Sequence, residues 1–114
     1  MICIGTSGFS YADWKGKYYP ERIKDRDMLV HYAGEFRVVE LDFTYYQMPG
    51  LRTMIGLERK TPDGFRFCVK ANRAMTHEPS GDAAERRQVF GAFRSSLQPV
   101  IQAGKFGCLL VQFP

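Results

Sequence analysis

The sequence predicts an α/β fold of the (β/α) TIM-barrel-like kind, with parallel strands joined by crossover helices and the first four strands only, a half barrel. Three observations predict it. Four short apolar runs are separated by helical patterns, so the chain reads β-α-β-α-β-α-β. The connections that enter strands two to four are short, at Arg37, at 61–64 and at Gly104-Lys105. Those that leave strands one and three are long, over 8–24 and 72–81, which puts the working face at the strands' carboxyl ends.

Each element has its own signal. Ile2 to Thr6, Val38 to Thr44, Phe65 to Ala71 and Phe106 to Phe113 are apolar and bounded by turn residues, as strands are. Met28, Leu29, Tyr32, Ala33 and Phe36 recur at helical spacing after Asp25. Leu51 to Lys60 is a weaker helix. After Asp82, a longer stripe of Val89, Phe90, Phe93, Leu97, Val100 and Ile101 runs to Gly104, which ends it, and Pro99 should kink its last turns.

Composition narrows the class further. A chain of 114 residues is the size of one domain or a piece of one, and 45% hydrophobic with 25% charged residues excludes a disordered chain. No apolar run approaches the ~20 residues of a membrane-spanning helix, and Met1 to Ile4 is too short for a signal-peptide core, so a cytoplasmic protein with no membrane partner is expected. Cys3, Cys68 and Cys108 are scattered, odd in number and without C-x-x-C spacing, which favours small buried hydrophobes over a disulfide or metal site. The net charge of +4 arises from 16 basic residues interleaved with 12 acidic ones, a weak basis for nucleic-acid binding.

The first turn argues against a dinucleotide-binding sheet. Gly5-Thr6-Ser7-Gly8 lacks G-x-G-x-x-G and leads into a long loop, and no Gly-Lys-Ser/Thr ending marks a P-loop. No cofactor motif emerges, and the cofactor stays open. A complete eight-stranded barrel needs ~250 residues, so half of one is expected to be missing. The domain is therefore read as residues 1–114 of a larger barrel, and the isolated fragment, with bare edge strands, is expected to self-associate.

Ile4-Gly5-Thr6-Ser7-Gly8-Phe9-Ser10-Tyr11, Trp14-Lys15-Gly16 and Tyr18-Tyr19-Pro20 resemble the opening of the YecE-like family, domain of unknown function 72. Val39-Glu40-Leu41-Asp42-Phe43-Thr44-Tyr45-Tyr46 with Pro49, Phe65-Arg66-Phe67 with Val69-Lys70, Thr76-His77, and Leu110-Val111-Gln112-Phe113-Pro114 resemble its later motifs. The resemblance covers essentially the whole chain. It implies a TIM-barrel-like fold and no established activity. Phe9 stands where the family often has Trp, and Asp42-Phe43 where Asn or Asp followed by a small residue is common.

Side chains alternate along a strand, so Glu40, Asp42 and Thr44 should share the face opposite Val39, Leu41 and Phe43. Glu40 and Asp42 would then point into the barrel as general bases or metal ligands, or form a buried ion pair with Lys70. Lys70, on one face with Arg66 and Cys68, could bind an anion or, with a lowered pKa, act as an amine nucleophile. His77 could transfer protons in the loop beyond, whereas His31 falls on the polar side of its helix as a surface residue. Gln112 could orient a substrate hydroxyl, and Ser7, Tyr11, Trp14 and Tyr18 combine hydroxyls with aromatic faces that suit a sugar or base. Thr44 and Tyr46 complete the residues expected to touch substrate.

These residues support an enzyme using acid-base chemistry on a small polar or phosphorylated molecule, with Glu40, Asp42, Lys70 and His77 converging at the mouth. One alternative is a non-catalytic module that binds a nucleotide or nucleic acid by stacking and charge. Another is a metal-dependent phosphoester hydrolase, which would need ligands beyond Glu40, Asp42 and His77.

Overall fold

In the computed structural model, which describes residues 1–114, the apolar runs pair as β1 (Gly5–Ser7), β2 (Val38–Leu41), β3 (Arg66–Lys70) and β4 (Phe106–Leu110). All neighbours are parallel, in the order β1-β2-β3-β4. Between them lie α1 (Asp25–Glu35), α2 (Phe43–Tyr46), α3 (Leu51–Arg59), α4 (Arg73–Thr76), α5 (Ala83–Ser96) and α6 (Gln98–Gln102). Parallel strands share a direction, so the loops leaving β1 and β3 emerge at one end, as the sequence predicts.

Alternation along the strands divides the sheet into two faces. Val39, Leu41, Phe67 and Val69 are fully buried against the helices with Met28, Leu29 and Tyr32 of α1 and Met54 of α3. Burial of a side chain of this size is worth about 1.5–3 kcal/mol, so this face carries the core. Glu40, Cys68 and Lys70 occupy the alternate positions on the open face and are only half-buried. Tyr32 adds a polar clamp from the helix side. Its hydroxyl accepts from Thr6 N at 2.8 Å and donates to Val38 O at 2.8 Å, tying β1 and β2 to α1.

The amino end of the strands is closed by an ion pair. Lys105, immediately before β4, is 3% exposed and donates to Glu58 Oε1 at 2.9 Å, Glu58 O at 3.0 Å and Thr61 O at 2.8 Å. One ammonium thus fixes the end of α3 and the turn into β3.

Several sequence expectations shift. β1 begins later than Ile2, and β4 stops at Leu110, short of Gln112 and Phe113. β2 ends at Leu41, because Asp42 takes helical angles (φ −99°, ψ −23°) and starts α2. The long stripe is two helices, broken at Leu97, with Pro99 in the first turn of α6, where a missing N–H has no cost. Phe93 and Leu97 are buried, but Phe90 is half exposed beside an apolar groove of about 470 Å³ that Met75, Phe106 and Leu109 also line.

The cysteines are not core residues: Cys3 and Cys108 are exposed and Cys68 is half-buried. Cys68 and Cys108 stand opposite each other on the open face. A β-bulge brings this about, because Phe67 pairs with Phe106 while the next residue, Cys68, pairs with Cys108. Gly107 is the extra residue, and a Cβ there would lie 3.2 Å from Phe67 O. No helix is long and apolar enough to cross a membrane.

Candidate functional site

The first cluster forms where β1 and β2 end side by side. Ser7 is paired with Glu40 in register, and the row continues through Cys68 to Cys108 across the open face. The Ser7 hydroxyl donates to Glu40 Oε1 at 3.3 Å and to Asp42 Oδ2. Asp42 approaches from the first residue of the turn into α2, and its Oδ1 is buried without a hydrogen-bond partner. Gly8 makes the turn out of β1 at φ +82°, a conformation that suits glycine, and its N–H donates to Glu40 O at 2.8 Å. Beside the carboxyls lies a cavity of about 200 Å³ lined by Gly8, Phe9, Ser10, Tyr11, Leu41 and Phe43 as well.

The hydrogen bond with Asp42 is the main cause that holds Glu40 above the usual carboxyl range, with burial and the Asp42 charge adding to it. Ser7 and Lys70 pull in the opposite direction. The Glu40 carboxyl therefore keeps its proton to higher pH than an isolated carboxyl would. Further along the row, burial and then Cys108 push the Cys68 thiol up to about 11, so it remains a thiol.

The second cluster lies one strand away. Lys70 Nζ sits 4.9 Å from the centre of the Tyr45 ring, and the His77 ring meets Tyr45 edge-on at 5.2 Å. Thr76 Oγ1 is 2.8 Å from His77 Nδ1. Lys70 is in none of the chain's ion pairs, so the expected Glu40–Lys70 pair is absent and Lys70 acts on Glu40 only through space. The four residues expected to converge form two adjacent pairs instead.

The remaining candidates separate into structural and exposed groups. Tyr11 donates to Ser7 O and packs with its ring tilted against Trp14 at 4.7 Å between centres, at the rim of the first cluster. Trp14 and Tyr18 pack with Tyr19, whose own hydroxyl is pushed up to about 12 by burial. Tyr18 also meets His31 at 5.2 Å, so His31 is a packed residue of this aromatic group and not a surface one. Thr44 is fully buried in α2, not on β2, and donates to Lys70 O at 2.6 Å, while Asn72 Nδ2 donates to Thr44 O at 2.9 Å. Its place is a brace between β2 and β3. Tyr46 is exposed, and Gln112 lies beyond β4 on the exposed tail. Tyr45, absent from the expected site residues, is the ring that joins Lys70 to His77; the single turn of α2 that places it there begins where the sequence predicts the strand to run on to Thr44.

Four parallel strands with interleaved helices and polar side chains gathered at the strands' carboxyl ends define a protein of the TIM-barrel-like α/β class. The chain belongs to the DUF72 family, described as a protein of unknown function, whose profile matches residues 3–114. It is 33% identical over 116 residues to the UPF0759 protein YunF of Bacillus subtilis (strain 168), covering all of this chain and 40% of YunF. A crystal structure of a DUF72 family protein from Thermotoga maritima MSB8 is similar over the whole chain, with a TM-score of 0.82 and 39% identity, and the match covers 45% of that protein. One from Enterococcus faecalis V583 has a TM-score of 0.80 and 29% identity, over all of this chain and 40% of that one. The chain thus spans less than half the length of these relatives.

Proposed function

We propose that the carboxyl-end mouth of this sheet performs general acid-base chemistry on a small polar molecule, with Glu40 and Asp42 as the paired acid and base. The meeting of the Glu40 and Asp42 carboxyls on one Ser7 hydroxyl, with Glu40 held above the usual carboxyl range, supports this reading most strongly. One carboxyl of such a pair donates while its partner accepts, and the pair works near neutral pH when its environment separates the two ionisations. Ser7 orients both oxygens, and Tyr11 covers the side of the pair. On this reading the chain supplies the first four units of a barrel whose further strands would enclose the row from Ser7 to Cys108.

The packing of Trp14 and Tyr18 into their own loop favours a small ligand over a stacked nucleic-acid strand. Hydrolysis, isomerisation and elimination all draw on a paired acid and base, and the reaction type follows from the substrate rather than from these residues.

Side-chain carboxyl NMR across pH tests the proposal. Glu40 is expected to titrate above the ordinary carboxyl range in the wild type and to fall toward it in Asp42→Asn. An ordinary Glu40 titration, unmoved by Asp42→Asn, would remove the proposal.

A further inference from the structure

Around Tyr45 the chain gathers a lysine and a histidine that join none of its ion pairs. Lys70 is half-buried at the carboxyl end of β3, where a charged side chain ordinarily has a carboxylate partner. The chain's ion pairs join Lys15 to Asp25, Arg73 to Glu78 and Lys105 to Glu58. Glu40 feels the Lys70 charge, but its hydrogen bond is with the Ser7 hydroxyl. The partner Lys70 does have is the face of Tyr45, at 4.9 Å, and a ring face leaves ammonium protons free for another acceptor.

His77 meets the same ring at right angles, 5.2 Å away between centres. Its Nδ1 is occupied by the Thr76 hydroxyl at 2.8 Å, which leaves Nε2 as the outward nitrogen. When Thr76 donates to Nδ1, Nε2 carries the proton and is a donor. The Lys70 backbone is itself held by Thr44, whose hydroxyl donates to Lys70 O, and Asn72 fixes Thr44 in turn. The cluster is therefore built on braced strand ends and not on a free surface lysine.

We infer that Lys70, Tyr45 and His77 form an oxyanion subsite, which holds a carboxylate or phosphate group of the substrate while the neighbouring Glu40–Asp42 pair acts on another part of it. The substrate is then a small anion with a reactive polar group beyond its charged end. The catalytic meaning rests on the acid-base reading above, whereas the binding rests on Lys70, Tyr45 and His77 alone.

Backbone amide NMR of the full chain, titrated with inorganic phosphate and separately with acetate at constant ionic strength, tests the subsite. Saturable shifts are expected at residues 44–46, 70–72 and 76–78. Saturation by phosphate alone assigns a phosphorylated substrate, and saturation by both assigns any oxyanion. Lys70→Met should weaken the binding at least tenfold and Lys70→Arg should restore most of it, which separates loss of charge from loss of fold. His77→Gln should weaken it a few-fold. Asp42→Asn should leave it within about twofold, so failure of the acid-base reading and failure of the subsite give different results. Absence of saturation with both anions, or wild-type affinity in Lys70→Met, would overturn the inference.

Discussion

Lys105 at the amino end of the sheet is 3% exposed and donates to a carboxylate and two carbonyls, whereas Lys70 at the carboxyl end rests on an aromatic ring and joins no ion pair. Both are half-buried or more, and both flank β3 or β4. Their surroundings differ because the helix-to-strand turns at the amino end are short and bring backbone carbonyls together, while the long loops at the other end leave space. A saturated ammonium holds the fold. An unsaturated one has binding capacity left over, which agrees with the division of such sheets into a stabilising end and a working end.

That contrast predicts unequal costs. Lys105→Met should be the most damaging change, since it strands Glu58 and two carbonyls, and breaking a buried pair costs about 3–5 kcal/mol. Because the Glu58 side chain keeps 26% exposure, a loss near the lower bound is expected in urea unfolding. Tyr32→Phe should follow, losing the bonds to Thr6 N and Val38 O, with a cost of about 1–2 kcal/mol in the same measurement. Lys70→Met should cost about 1 kcal/mol, the worth of a partly exposed cation–ring contact. If it cost as much as Lys105→Met, the two ends would not differ in kind.

Glu40→Gln should have the smallest effect and the clearest sign. The folded state holds the Glu40 carboxyl above its ordinary value, so folding favours its protonated form. The associated stability is present below the unfolded carboxyl value and is lost as pH rises through the raised one. At neutral pH the neutral amide should therefore match or slightly exceed the wild type, and this advantage should vanish toward acid pH. Thermal unfolding across pH measures it, and a variant less stable than wild type at neutral pH only would show that the Glu40 charge is welcome there.

The order and direction of the strands were legible because their apolar runs are short, separated by helical stripes and joined by loops of unequal length. The end of β2 was not. Phe43 and Thr44 are aromatic or β-branched and read as the end of the strand, yet the Thr44 and Asn72 bonds to the neighbouring backbone hold 43–46 in a helical turn. That single turn moved Thr44 from the site into the interior and brought Tyr45 forward in its place. The alternation that puts Glu40 on the open face stops at Leu41, one residue before Asp42, which enters the cluster from the turn into α2 instead. His31 was misplaced because a helical stripe says which side chains face the sheet, and not which ones a long loop will fold back to cover.

The bulge at Gly107 shows how faces and chain length can be separated. Strict alternation from Phe106 would send Cys108 to the helices and Leu109 to the open face, opposite Lys70. With one residue looped out, Cys108 meets Cys68 and Leu109 pairs with Val69 on the apolar side. β4 thus carries one more residue than its neighbour needs, and the surplus is a glycine with no side chain to place. At this one point the chain can be counted in two ways, and losing the residue would leave every later side chain on the face it already occupies.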